Sequence, residues 1–229
     1  IKIIGHCIVM NNYNKELILK INPKANIISN FHPIYEIPYS DNSNNNYKAD
    51  LNIKTEKTIL FFGLIREYKG LDLLINAIAL SRNKIKDLKV LVVGENYESL
   101  AKYHEMIRAN NMEDSFIFIN HFVDKDDIKK YFLSSELVVL PYKSASQSGV
   151  LSLAYNFNRP VVITNVGGLS DYVSDKKSGF IVEPDPVHIS KKINMFFEEN
   201  LFEMMSKFIK DNKKIFSWES FEKKLKLYE

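Results

Sequence analysis

The stretch FFGLIREYKG, residues 61–70, is where an apolar run ends and a helical pattern begins. Residues 59–62 read as a buried strand that stops at Gly63. Just after Gly70, Leu71, Leu74, Ile75 and Ile78 take the i, i+3, i+4, i+7 spacing of a helix packed on one face. Arg66 and Lys69 sit on the turn between them. A helix N-terminus leaves backbone N–H groups unpaired and carries partial positive charge, so it favours an anion. Adding a guanidinium and an ammonium to that turn points to a doubly charged phosphate. The competing reading is a pair of solvated surface cations.

Two more turns fall at the same kind of place. ELVVLPY, residues 136–142, reads as a buried strand running into the small, hydroxyl-rich loop SASQSG, residues 144–149, and then into the apolar run Val150, Leu151, Leu153, Ala154. Such a loop lets backbone approach a ligand closely and offers donors at a helix start, although a plain serine-capped helix would look alike. In TNVGGLSDYV, residues 164–173, a β-branched strand ends in Gly167-Gly168 ahead of another helical start. Three turns after three apolar strands would share the C-terminal edge of a parallel sheet, where open α/β sheets bind ligands.

The wider pattern predicts strands over 58–63, 88–94, 115–119, 136–140, 160–164 and 179–182. Helices are predicted over 70–82, 98–110, 125–134, 148–157 and 168–174, and from 187 onward. Alternation with short connections argues for α/β architecture, a Rossmann-like parallel sheet with helices on both faces. Ahead of it, residues 2–10 read as strand, 13–20 as helix and 26–29 as strand, and a sheet of two short strands cannot bury both faces alone. The expected organisation is therefore a remnant of an N-terminal domain at 1–38, a linker at 39–54, an α/β domain at 55–195, and C-terminal helices at 196–229. The linker centres on the Asn- and Ser-rich IPYSDNSNNNYKAD, residues 37–50.

Composition narrows the classes. At 229 residues and 45% hydrophobic content the chain can build a full domain core. No apolar run reaches the roughly eighteen residues of a membrane-spanning helix. A single cysteine, Cys7, excludes an internal disulfide and fits a reducing compartment. A net charge of +3 with no basic stripe falls short of a nucleic-acid footprint. His6, His32, His104, His121 and His188 show no metal-ligand spacing. The acidic run Asp124, Asp126, Asp127 reads as an N-cap and first helical turn ahead of Ile128. Phe216, Trp218 and Phe221 read as anchors of a terminal helix.

Taken in order, the Gly63…Arg66…Lys69-Gly70 turn, LKVLVVGE at 88–95, the segment 116–142, RPVVITNVGGLSDYV at 159–173 and SGFIVEP at 178–184 resemble the donor-binding domain of family-4 glycosyltransferases, enzymes of the GT-B fold. The resemblance covers roughly residues 55–195 and rests on the ordered set; it implies that 55–195 is the nucleotide-sugar-binding domain, that 1–38 is a remnant of the N-terminal acceptor domain, and that the helices at 196–229 return toward that domain. It implies that Arg66 and Lys69 hold the diphosphate of a nucleotide-sugar and stabilise the leaving group, with no metal and no other cofactor. It places Gly63, Glu95, Asn120, His121, Phe122 and Val123 around the donor, with the loop 120–123 bordering the base. Ser146, Gln147, Ser148 and Gly149 would contact sugar and phosphates through backbone N–H groups. One departure stands out: the two glutamates eight positions apart that the family usually carries fall on Ala145 and Leu153. In addition, the arginine lies three residues after Gly63, where many members place it directly after.

The expectation is thus a cytoplasmic, retaining hexosyltransferase, with room for a peripheral contact at the inner face of the membrane. It would move sugar from a nucleotide diphosphate sugar to a saccharide or lipid-linked acceptor in surface polysaccharide or glycolipid synthesis. These residues alone are expected to bind donor without transferring it, because the facing wall of the cleft is missing from them. A non-catalytic nucleotide-sugar-binding subunit, favoured by the lost glutamates, and a GT-B epimerase are the alternatives.

Overall fold

A strand that is apolar at every position must be covered on both faces, and residues 59–62, 90–93, 137–140 and 161–163 are such runs. In the computed structural model, which describes residues 6–39 and 47–226, they lie in adjacent strands of one sheet. In chain order the elements are β1 (His6–Val9), α1 (Asn12–Ile21), β2 (Asn26–Ser29), α2 (Tyr47–Asp50), β3 (Thr58–Phe62), α3 (Leu71–Ser81), β4 (Lys89–Val93), α4 (Ala101–Ala109), β5 (Phe116–Ile119), α5 (Ile128–Leu133), β6 (Leu137–Leu140), α6 (Gly149–Asn156), β7 (Val161–Thr164), β8 (Gly179–Val182), α7 (Pro186–Glu198), α8 (Phe202–Asn212) and α9 (Trp218–Lys226).

The six strands from β3 onward form one parallel sheet in the order β5-β4-β3-β6-β7-β8. Counted within the sheet this is 3-2-1-4-5-6, the doubly wound order that reverses direction between its first and fourth strands. β1 and β2 form a separate parallel pair. Successive strand residues alternate between two cores. Ile59, Phe61, Val90, Val92, Leu137 and Val139 face the side covered by α3, α4 and α7. Leu60, Leu91, Val93, Val138 and Leu140 face the side covered by α5 and α6. Each such side chain, fully buried, contributes about 1.5–3 kcal/mol.

Several boundaries differ from the sequence expectation. The helix expected over 168–174 is a single 3₁₀ turn, Ser170–Tyr172. So short a segment rewards helix nucleation poorly, and the side chains of Asp171 and Tyr172 are engaged with the N-terminal segment instead. The helix expected from 125 starts at Ile128; Asp127 takes the N-cap position without a side-chain cap bond. Of the Asn-rich stretch at 37–50, residues 40–46 lie outside the described residues, as do residues 2–5 of the first expected strand. Ile37 is buried and its carbonyl accepts from Asn156 Nδ2 at 3.0 Å, and Lys48 on α2 pairs with Glu136 at 2.6 Å.

At the C-terminus, Phe216 O accepts from Ile34 N at 2.9 Å, and Phe221 O accepts from Asn30 Nδ2 at 3.1 Å. Phe31 meets Phe216 edge-on with ring centroids 5.4 Å apart. Phe216 and Phe221 thus act as anchors. Trp218 does not: it touches Phe221 but is 57% exposed, because it stands at the start of α9, on the edge of the packed face.

The link between the first and fourth strands of the sheet is tight at Gly70. It sits at φ +71, and a Cβ there would lie 1.9 Å from the Pro141 carbonyl oxygen. Gly70→Ala is expected to destabilise the chain by about 1–3 kcal/mol, read as a drop in the urea midpoint at unchanged slope. An unaltered midpoint would show that the two loops are not in contact.

Candidate functional site

Because all six strands run parallel, the loops that leave β3, β4, β5, β6 and β7 gather along one edge of the sheet. The strand order reverses between β3 and β6, so the loops that follow these two strands are carried to opposite faces and leave a crevice between them. The Lys143 amide donates to the Tyr68 carbonyl at 2.8 Å across this junction. The open position at Gly63 lies 3.4 Å from a Val150 methyl at the start of α6. The Gly63–Gly70 turn and the Ser144–Gly149 loop are therefore neighbours at this crevice.

Residues 67–69 form a 3₁₀ turn that ends at Gly70, and α3 begins at Leu71 with no side-chain cap. The two cations rest on aromatic rings from different loops. Lys69 Nζ lies 3.9 Å from the centroid of Tyr142 and 5.2 Å from that of Tyr68. Arg66 stacks over Tyr97 at 4.9 Å and remains exposed. Cation–π contact holds each head group in place without neutralising it. Burial lowers the Lys69 pKa to about 8. The nearby acid, Asp72, is taken up by Lys143 at 2.8 Å.

The other expected residues divide. Asn120 Oδ1 accepts from the Asn96 amide at 3.2 Å, tying the β5 loop to the β4 loop. Glu95 accepts from the Ile65 amide through its carbonyl at 2.9 Å and from the Tyr97 hydroxyl through its carboxylate at 3.3 Å. The His121 ring donates to the Phe122 carbonyl at 2.7 Å, and Phe122 is 70% exposed. The Val123 side chain turns into the core, which leaves only its backbone facing the edge. Ser148 caps α6 by accepting from the Leu151 amide at 3.4 Å and meets the Tyr142 hydroxyl at 3.2 Å, so its own hydroxyl is engaged. Ser146 and Gln147 are exposed, and Gly149 faces the Tyr35 ring, where a Cβ would come within 3.1 Å. Among the described residues, the amides of Ser146, Gln147 and Gly149 have no protein acceptor.

At the two positions where acids were expected, Ala145 has its carbonyl against Gly167, and Leu153 is packed in the core. Among the described residues no group of three His, Cys, Asp or Glu side chains is placed to hold a metal. None of the described helices is long and apolar enough to cross a membrane. Tyr97, Tyr142, Tyr35 and Asn11 belong to the site's surroundings, and the sequence reading passed over them. The rings look like ordinary core or loop aromatics in sequence. Asn11 alone carried a signal, an Asn–x–x–Asn spacing ahead of ELILKI that marks an N-cap.

A family model of the glycosyl transferases group 1 matches residues 43–215. The chain belongs to this family. Among sequence relatives, the human alpha-1,3/1,6-mannosyltransferase ALG2 is 33% identical over 114 residues, covering 49% of this chain and 26% of that protein. The D-inositol 3-phosphate glycosyltransferase of Arthrobacter sp. is 32% identical over 142 residues, covering 59% of this chain and 33% of that protein. Among solved structures, Anabaena HepE in complex with UDP superposes with a TM-score of 0.83 at 16% identity, covering 98% of this chain and 63% of HepE. HepE has also been solved with UDP-glucose. The chain spans 26% and 33% of the length of the two sequence relatives. The six-stranded sheet is the Rossmann-like domain of the GT-B fold, and the group 1 membership agrees with the resemblance seen in the ordered turns.

The ammonium of Lys69 is expected to titrate near pH 8 in the free protein. NMR of ¹³C-methylated lysines, assigned with Lys69→Met, measures this directly. A midpoint at or above the ordinary value of 10.5 would contradict the buried placement over Tyr142.

Proposed function

We propose that this group 1 chain binds the donor of a retaining hexosyltransferase and holds the nucleotide diphosphate through Arg66, Lys69 and the amides of residues 146–149. The observation that carries this reading is the meeting, at the switch point of the sheet, of a desolvated lysine and a loop of amides that, among the described residues, have no carboxylate partner and no protein acceptor respectively. Both features favour a dense anion. The solved complexes of HepE with UDP and UDP-glucose support the reading by likeness of fold.

In this mechanism the sugar–phosphate bond breaks as negative charge builds on the diphosphate. Donors fixed where that charge develops lower the barrier, which is electrostatic stabilisation without a metal. Lys69 in a low-dielectric setting contributes more than a solvated lysine would. Asn120, His121 and Phe122 border the base, and Glu95 stands on the neighbouring loop. A saccharide or lipid-linked acceptor would approach from the N-terminal side, and surface polysaccharide or glycolipid synthesis is the process such a transfer serves. The loss of acids at Ala145 and Leu153 favours a second reading, a nucleotide-sugar-binding subunit without activity of its own.

Calorimetric titration with UDP, GDP and ADP tests the proposal. One of them is expected to bind equally well with and without EDTA, and loss of binding on chelation would refute the metal-free site. Arg66→Ala and Lys69→Ala are each expected to weaken the diphosphate by roughly tenfold to a hundredfold, since a hydrogen bond to a charged group is worth about 1.5–3 kcal/mol. The nucleoside should be scarcely affected; equal losses for both ligands would place the cations elsewhere.

The pH dependence has a definite sign. A bound dianion raises the Lys69 pKa above its free value of about 8, so binding takes up a proton once the pH passes that value. Affinity should therefore be constant just below pH 8 and fall above it, by up to about tenfold per pH unit. Affinity that does not change between pH 7 and 9.5 would remove Lys69 from the site.

A further inference from the structure

The amides of the loop at 145–149 can face a ligand only if the carbonyls of the same peptides are held elsewhere. In a planar trans peptide the C=O of one residue and the N–H of the next point in opposite directions. The Ser146 carbonyl accepts from Asn11 Nδ2 at 2.7 Å, which turns the Gln147 N–H away from Asn11. The Ala145 carbonyl lies against Gly167, where a Cβ would come within 1.5 Å of it, and this turns the Ser146 N–H away in the same manner. Gly168 closes the contact: a Cβ on it would lie 2.4 Å from Asn11 Cγ and 2.6 Å from the Ser146 oxygen. Among the described residues, neither freed amide meets a protein acceptor.

Asn11 is itself fixed at both ends. Its Oδ1 accepts from the Asn14 amide at 2.8 Å, capping α1, and the residue is 3% exposed. The surrounding turn is held independently of it. The Asn12 amide donates to Asp171 Oδ2 at 2.6 Å, and the Tyr172 hydroxyl donates to the Met10 carbonyl at 2.6 Å while accepting from the His32 amide at 2.7 Å. Changing Asn11 to another capping residue therefore removes one bond to the loop and leaves the rest of the contact standing.

We propose that Asn11 is a positioning residue for the diphosphate-sugar: by holding the Ser146 carbonyl it aims the Gln147 amide into the crevice. The inference rests on the reading that this crevice binds a nucleotide-sugar. It gains weight from Ala145, because the loop carries no carboxylate there and recognition falls to backbone donors whose direction matters. It also ties the start of α1 to the donor loop, so the N-terminal segment and the bound donor are placed by the same side chain.

The test uses the whole chain and three variants. Asn11→Ser keeps an oxygen for the α1 cap and loses the donor to Ser146. Asn11→Asp keeps the cap and sets a carboxylate against the Ser146 carbonyl. Asn11→Ala loses both bonds. With whichever of UDP, GDP or ADP the unaltered chain binds, Asn11→Ser should weaken the diphosphate by roughly threefold to tenfold, the worth of one hydrogen bond. Its nucleoside affinity should stay as in the unaltered chain, while loss of the bond to Ser146 lowers the ligand-free melting temperature slightly. Asn11→Asp should weaken the diphosphate at least as much, and it serves as the second variant if Asn11→Ser folds poorly. All three variants should lower the ligand-free melting temperature, Asn11→Asp and Asn11→Ala more than Asn11→Ser. Unchanged diphosphate affinity in Asn11→Ser and Asn11→Asp would overturn the inference and leave the donor reading intact. Equal losses for diphosphate and nucleoside would also overturn it, since they mark a purely structural role. An unaltered chain that binds none of the three nucleotides would overturn the donor reading, and the inference with it.

Discussion

Hydrogen bonding between β3 and β6 sets the conditions for everything else in this chain. Leu60 pairs in register with Leu91 on one side and with Val138 on the other, and at this strand the order of the sheet reverses. Chain leaving β3 passes to the face covered by α3, and chain leaving β6 passes to the face covered by α6. Two helix starts thus flank one gap without any side chain having to create it. The gap is narrow because the backbone at Gly70 approaches the Pro141 carbonyl as closely as a glycine allows. Strand order creates the crevice, and the glycine sets its width.

Charge in the crevice follows from the same geometry. An ammonium drawn from water onto aromatic rings loses hydration, and its pKa falls accordingly. For Lys69 that desolvation is the cause of the shift, and Asp72 is held by Lys143 on the facing loop. The site is therefore electrostatically incomplete as it stands. An arriving dianion would restore to Lys69 the stabilisation that burial removed. That gain is the kind of binding that grows as charge develops on a leaving group.

Much of this was legible in the sequence because it depends on patterns with a fixed period. The apolar runs at 59–62, 90–93 and 137–140 could only be buried strands, and the i, i+3, i+4 spacing after Gly70 could only be a helix on their face. Arg66 and Lys69 stand out in sequence because they interrupt such a pattern. Features with no period were missed. The turn at 170–172 reads locally like a helix start, and what keeps it short is bonding to Met10 and Asn12, some 160 positions away. Tyr142 closes an apolar strand in sequence; only packing shows its ring under Lys69. Val123 looked like a loop residue, yet tertiary burial claims its side chain.

The two missing acids follow the same logic. Leu153 is 8% exposed and packs against the core on the α6 side of the sheet. A carboxylate placed there would have to leave water with no cation beside it, at a cost of several kcal/mol in an environment built for a leucine (roughly the penalty for an unpaired buried ion). Ala145 differs, since its carbonyl is already pressed on Gly167 and its short side chain lets the loop turn at that point. Leu153 is core, and Ala145 is part of a turn whose Ala145 carbonyl packs on Gly167 and whose Ser146 carbonyl is held by Asn11. Under the donor reading proposed above, this loop would face the ligand through backbone amides and not through carboxylates. An amide can be aimed only through its own peptide plane, so the residues that hold the neighbouring carbonyls become part of the site.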